Sequence, residues 1–172
     1  SIFYMWVEQV DKKLFEKIKK RVKEKRWFIA GPWIVQPDCN IPSGESFIRH
    51  SLYGKRFFEE KFGIEIDVGY NPDSFGHNWN LPQILKKSGI NYYVFCRPDK
   101  NEKELPQIYW WEGPDGSRVL ATRPPVHYTY DITKIEELIR NCSNSFQEGI
   151  DDLIFFFGVG NHGGGPTKES IK

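Results

Sequence analysis

IEIDVGYNPDSFGHNWNLPQILKKSGINYYVFC, residues 64–96, decides the fold. Its first seven residues (64–70) alternate apolar with polar or small side chains, the period of a strand, and run into the turn formers Asn71, Pro72 and Asp73. Residues 79–88 then read as a short helix closed by Gly89, and NYYVFC (91–96) is strand again. Strand, loop, helix and strand in roughly thirty residues make one β/α unit, which implies a parallel sheet.

Upstream, Ser43 caps a helix whose apolar face is Phe47, Ile48, Leu52, Phe57 and Phe58 and which ends at Gly63. Before it lies a loop rich in Gly, Pro and Asn, and before that WFIAG (27–31), read as a short strand. Downstream, QIYWWE (107–112) and SRVLATR (117–123) flank Gly-Pro-Asp-Gly and form a β-hairpin near 107–123. A loop through Pro124, Pro125 and HYTYD leads to a helix over 132–148, with Ile132, Ile135, Leu138, Ile139, Cys142 and Phe146 on one face. LIFFF (153–157) reads as a strand buried on both faces and feeds into GVGNHGGGPT. The fold class is therefore α/β.

The 172 residues are 39% apolar and 27% charged with a net charge of +1, the composition of a globular domain. No apolar run approaches the roughly 20 residues of a membrane helix. The charge is uneven: residues 11–26 carry nine Lys/Arg and three acids, net +6 against −5 for the rest. Leu14, Phe15, Ile18 and Val22 make that run a helix with one narrow apolar stripe, so its lysines form a solvated face or, less economically, a site for an anionic partner. Cys39, Cys96 and Cys142 have no CxxC spacing and suit buried thiols in a reducing compartment. The chain begins without an initiator Met or a signal sequence and stops just after what reads as a helix start, so both ends look cut from something longer.

Three constellations can carry chemistry. Gly158, Gly160 and Gly163 match GxGxxG after a buried strand, but Pro166 falls where a dinucleotide-binding helix would already be running. A turn before a helix explains the glycines as well. Asp73 stands just beyond the C-terminal end of a strand, where α/β enzymes place their reacting groups, and His77 is a candidate partner. An Asp after Pro is equally at home in a turn. Aromatic residues cluster near these loops: Trp33, Tyr70, Phe75, Trp79, Trp110, Trp111, Tyr128 and Tyr130. Most belong to a core, while two or three at strand ends suit the C–H faces of a sugar.

The series GPWIVQPDCNIPSGESFIRHSLYGKRFFEEKFG (31–63), GYNPDSFGHNWNLPQILKKSGINYYVF (69–95), WWEGPDGSRVLATRPP (110–125) and GVGNHGGGPT (158–167) closely resembles the N-terminal catalytic domain of the family 38 glycoside hydrolases, the α-mannosidases, in their bacterial form. The resemblance runs in order over nearly the whole chain. It implies a (β/α)7 barrel and retaining chemistry, with Asp73 as the nucleophile that forms a covalent mannosyl intermediate and also ligates a zinc ion bound to the sugar's 2- and 3-hydroxyls. It further implies Arg97 as a contact of the nucleophile, Tyr130 in the sugar pocket, and Asn161 and His162 in the pocket loop.

Two departures stand out. The family draws two zinc ligands from a His-x-Asp motif and a fourth from a His well downstream of this segment, and none of His50, His77, His127 or His162 has Asp two residues later, so one of four ligands is present. The loop where relatives place an acid/base carboxylate reads Gly160-Asn161-His162, and His162 lines the pocket or protonates the leaving oxygen.

The expectation is that residues 1–172 form an incomplete barrel domain within a cytoplasmic, zinc-dependent exo-α-mannosidase acting on mannose-containing oligosaccharides. Neither nucleic acid nor membrane is expected as a partner, self-association stays open, and the segment alone is expected to be inactive. The alternative is a non-catalytic carbohydrate-binding protein on the same scaffold.

Overall fold

The computed structural model describes residues 1–99, 101–128, 134–144, 146, 148–152, 154, 156 and 167–168. Five helices and four strands lie among them: α1 Ile2–Val10, α2 Lys12–Lys23, α3 Gly44–Phe62, β1 Val68–Asn71, α4 Leu81–Lys87, β2 Tyr92–Phe95, β3 Ile108–Glu112, β4 Arg118–Thr122 and α5 Ile135–Ser143. The sheet order is β1-β2-β4-β3. β1, β2 and β4 are mutually parallel, and β3 turns back antiparallel to β4. This is the mixed α/β fold and hairpin that the pattern predicts. Three parallel strands with one antiparallel edge do not by themselves make a seven-stranded barrel.

Pairing residues across the register sorts the sheet into two faces. Gly69, Tyr93, Phe95, Ala121, Val119 and Trp111 share one face, which packs with Leu81 and Leu85 of α4, Ile90, Trp33 and Phe47 into the main core. The opposite face carries Tyr70, Tyr92, Val94, Leu120, Thr122 and Trp110, and there Trp110 is 65% exposed. A second cluster of Phe15, Ile29, Phe57, Phe58 and Ile66 joins α1, α2 and the end of α3, with Tyr4 set edge-on against Phe58 and Phe62 tilted against it.

Helix α3 starts and stops where the sequence says: the Ser43 side chain accepts the Ser46 N–H, and Gly63 is the C-cap. Its buried face differs. Phe47, Ser51, Gly54 and Phe58 face inward, while Ile48 and Leu52 are exposed. The reason is close approach. A Cβ on Gly54 would sit 1.6 Å from the Pro32 carbonyl oxygen, and Ser51 Oγ accepts the Trp33 indole N–H at 2.9 Å, so small residues let α3 lie directly on residues 32–33.

Other expectations need correcting. Residues 27–31 are not a strand: a single ladder-type bond, Gly31 N–H to the Val68 carbonyl, is too few to propagate one. The strand expected from residue 64 begins at Val68. Leu14, Ile139 and Phe146 are exposed, whereas Phe15, Ile18, Leu138 and Cys142 are buried as expected. Helix α1 was not anticipated. The helix expected over 132–148 is seen as α5, and its first residues, the LIFFF strand and the glycine-rich loop lie wholly or partly outside the described residues.

Candidate active site at the C-terminal ends of the parallel strands

β1 ends at Asn71, β2 at Phe95 and β4 at Thr122, all on one edge of the sheet because the three run parallel. The loops that follow bring Asp73, Arg97 and Tyr128 together. Arg97 Nε–H donates to Asp73 Oδ1 at 2.8 Å, and Tyr128 stands beside the pair, its hydroxyl helping to lower the Asp73 pKa. The guanidinium also lies 4.4 Å from the centre of the Phe75 ring. Burial raises the Asp73 pKa, but the Tyr128 and Arg97 hydrogen bonds and the Arg97 charge outweigh it and hold the carboxyl below its usual range. With its side chain 42% exposed, Asp73 is an ionised carboxylate open to a ligand.

Buried polar contacts support this loop from behind. Asn71, at the end of β1, donates through Nδ2 to the Pro37 carbonyl (3.0 Å) and to Cys39 Sγ (3.0 Å), tying the PDCN loop under the PDSFGH loop. Asp38 Oδ1 accepts the backbone N–H groups of Asn40 and Ile41, each at 2.8 Å, so its acid serves a turn. Gly76 has φ 131°, and a Cβ there would meet Asn40 Nδ2 at 2.7 Å. The two motifs therefore interlock.

His77 is not the partner of Asp73. Its Nε2 lies 2.7 Å from the Arg97 carbonyl oxygen and its Nδ1 3.1 Å from the Tyr93 hydroxyl, and burial lowers its pKa. Asp-x-x-x-His puts the two residues on one loop, but the loop turns the imidazole inward onto Phe95 and Tyr93. Burial also raises all three thiols, Cys96 to about 12, so none is an ionised nucleophile near neutral pH. Among the aromatics, Trp33 is core, whereas Phe75 (76% exposed) and Trp79 (73%) stand in the segment that follows Asp73.

Of the residues singled out from sequence, Asp73 and Arg97 are brought together. Tyr130, Asn161 and His162 lie outside the described residues. Two contributors were not assigned to the Asp73 carboxylate from sequence: Tyr128, read only as one of the clustered aromatics, and Arg123. Tyr128 sits two residues before Tyr130 in the same YTYD, and residue type alone does not single it out. Arg123 follows β4 directly and is buried. It donates to the carbonyl oxygens of Pro98 (3.0 Å), Asp99 (3.2 Å), Lys103 (2.6 Å) and Leu105 (3.3 Å), so it grips the loop beyond Arg97. A charged residue at the end of a predicted parallel strand is the signal that could have found it.

Asp73 is one possible metal donor, and among the described residues no group of three or more His, Cys, Asp or Glu converges on a point. Zinc takes four. These residues alone do not fit the metal. Nor is any described helix long and apolar enough to cross a membrane.

The sequence model for the family described as "Glycosyl hydrolases family 38 N-terminal domain" matches residues 1–172. "Alpha-mannosidase G" of Dictyostelium discoideum is 35% identical over 172 residues, covering 98% of this chain and 16% of the relative. "Alpha-mannosidase" of Saccharomyces cerevisiae is 31% identical over 174 residues with the same coverage. "Alpha-mannosidase 2C1" of Homo sapiens is 36% identical over 146 residues, covering 83% of this chain and 14% of the relative. Among solved structures, an alpha-mannosidase from Enterococcus faecalis superposes with a TM-score of 0.70 at 24% identity, over 88% of this chain and 18% of that one. An allantoinase superposes at 0.57 and 12% identity, over 83% and 48%, a likeness of fold alone. The chain thus spans about a sixth of the length of the first two curated relatives.

Proposed function

We propose, from the premise that the chain belongs to glycosyl hydrolase family 38 through its N-terminal domain, that it is the nucleophile-bearing part of a retaining exo-α-mannosidase. The observation that carries the reading is the accessible Asp73 at the C-terminal end of a parallel strand, bonded to Arg97 and held below the usual carboxyl range with Tyr128 beside it. In a double displacement this carboxylate attacks the anomeric carbon of a terminal mannose, and the leaving oxygen takes a proton from a group not assigned among the described residues. The hydrogen bonds that hold Asp73 ionised also make it a better leaving group when water cleaves the mannosyl ester in the second step. Arg97 and Tyr128 keep the carboxylate aimed, and Phe75 and Trp79 offer ring faces to sugar C–H groups.

Residues 1–172 are read as part of a (β/α)7 barrel. The sheet face bearing Tyr92 and Trp110 would turn toward the barrel interior, because the α4 face is already covered. Arg97, Tyr130, Asn161 and His162 are assigned to the mannose pocket. Zinc is assigned to the whole enzyme, with Asp73 as this segment's donor and the other donors outside it, and no step above depends on the metal. Mannose-containing oligosaccharides in the cytoplasm are the proposed substrates.

Replacing Asp73 by Asn in the whole protein that carries this chain should lower turnover of an aryl α-mannoside at least about 1,000-fold while leaving the fold intact. Wild-type turnover in that variant contradicts the reading. A wild-type protein that binds mannosides without hydrolysing them favours the non-catalytic carbohydrate-binding alternative.

A further inference from the structure

His77 has both ring nitrogens engaged behind the site, and the chemistry of its partners fixes where its proton lies. A carbonyl oxygen only accepts, so Nε2, 2.7 Å from the Arg97 carbonyl, is the protonated nitrogen. Burial keeps the ring neutral near pH 7, so Nδ1 accepts the Tyr93 O–H at 3.1 Å. Behind Tyr93 lies Cys39 Sγ, 3.6 Å from the hydroxyl, and Asn71 Nδ2–H donates to that sulfur. Tyr93, Cys39 and Asn71 are all buried, so no water competes for these bonds. The imidazole is set edge-on to Phe95, Tyr93 and Trp111, with ring centres 5.1, 5.6 and 5.9 Å away. Packed on three sides, it is not free to exchange its nitrogens.

Arg97 is thereby anchored at its own carbonyl and at the two residues that follow it. His77 holds its own carbonyl, and Arg123 holds those of the next two residues. Its side chain then reaches Asp73 from a fixed origin. Neither Tyr93 nor His77 hydrogen-bonds to Asp73, so whatever they contribute passes through Arg97.

We propose that His77 is a positioning residue for Asp73: the buried series Cys39, Tyr93, His77 locks the imidazole as the Nε2–H tautomer, and that N–H sets the Arg97 main chain so that its Nε–H meets the carboxylate. This rests on the reading of Asp73 as nucleophile. A misplacement of about 1 Å at a reacting group costs on the order of 100-fold in rate, so the anchor matters although it touches no substrate.

The test is a double-mutant cycle in the whole protein. His77→Leu should lower kcat about 100-fold with KM moved less than about threefold. His77→Gln, which restores an N–H at the same reach, should recover most of the loss. In the Arg97→Ala background His77→Leu should add less than about threefold. A full multiplicative loss there overturns the proposal, because a purely structural role is blind to Arg97. If His77→Leu does not fold, Tyr93→Phe, which deletes the donor to Nδ1 together with the hydroxyl's contact to Cys39 and keeps the ring, takes its place in the cycle with a smaller expected loss. An arm independent of activity uses selective 15N labelling. Wild-type His77 should show a pyrrole-type Nε2 and a pyridine-type Nδ1, and a slowly exchanging Arg97 Nε–H that disappears in the His77→Leu or Tyr93→Phe variant. The opposite tautomer, or an unchanged Arg97 signal, overturns the proposal. If the wild type turns over no mannoside, the functional reading fails and the spectra alone decide the positioning claim.

Discussion

Asp73 has the ordinary neighbours of a turn in sequence and unusual ones in space. Asn-Pro-Asp-Ser predicts only a bend, and what makes Asp73 a nucleophile candidate is that Arg97 and Tyr128 arrive from two other loops. Contacts between residues 24 and 55 positions away are invisible to local pattern, so the place of Asp73 after a strand made it a candidate and only the family resemblance implied the role of nucleophile. His77 shows the opposite error. Its spacing suggested a dyad, and its burial against Tyr93 and Phe95 removed it to a supporting role. Deleting the Tyr128 hydroxyl removes a polar neighbour that helps lower the Asp73 pKa, and a hydrogen bond made to a charged acceptor is worth about 1.5–3 kcal/mol, roughly 10- to 100-fold. Tyr128→Phe should accordingly reduce kcat by that range in steady-state assays. Unchanged kcat would remove Tyr128 from the site.

Among the elements, helix α3 was legible in its ends and in Phe47, Phe57 and Phe58 of its buried face, and misread at Ile48 and Leu52. Ser43 and Gly63 are local signals that tertiary structure did not override. The buried side was assigned to the largest apolar residues, whereas the fold buries Ser51 and Gly54 because main chain, not side chain, packs there. Gly54→Ala should therefore cost at least about 3 kcal/mol in denaturant unfolding, near the upper end for overpacking. Ile48→Ala, 45% exposed, should stay within about 0.5 kcal/mol. Equal effects would mean the helix face is wrong. The same helix carries His50, whose Nε2 accepts the N–H groups of Ile34 (2.9 Å) and Val35 (3.1 Å), a role open only to neutral imidazole. Burial lowers its folded-state pKa, as it does for His77 and His127. The unfolded chain then binds more protons below about pH 6.5, so stability is complete above that value and falls as pH drops through the folded pKa. Melting temperature measured from pH 7.5 to 5 should decline on the acid side, and less steeply in His50→Gln. A variant with the wild-type slope would exclude His50 as a contributor.

For the molecule as a whole, alternating β and α patterns were enough to predict a parallel α/β sheet, because each strand and helix announces itself by its own period. The order β1-β2-β4-β3 was not readable, since the antiparallel edge strand β3 depends on how the hairpin docks beside β2. The sheet leaves one face covered by α4 and the other bearing the exposed Trp110, a division that supports a place in a larger barrel. On that reading, three loops at the C-terminal ends of the parallel strands converge to present one carboxylate to a sugar. The most direct test is to trap the intermediate in the whole protein with a fluorinated mannosyl fluoride and locate the adduct by peptide mass spectrometry. The account predicts a single mannosyl ester on the peptide containing Asp73; an adduct on any other carboxylate of an enzyme that turns over mannosides would contradict it.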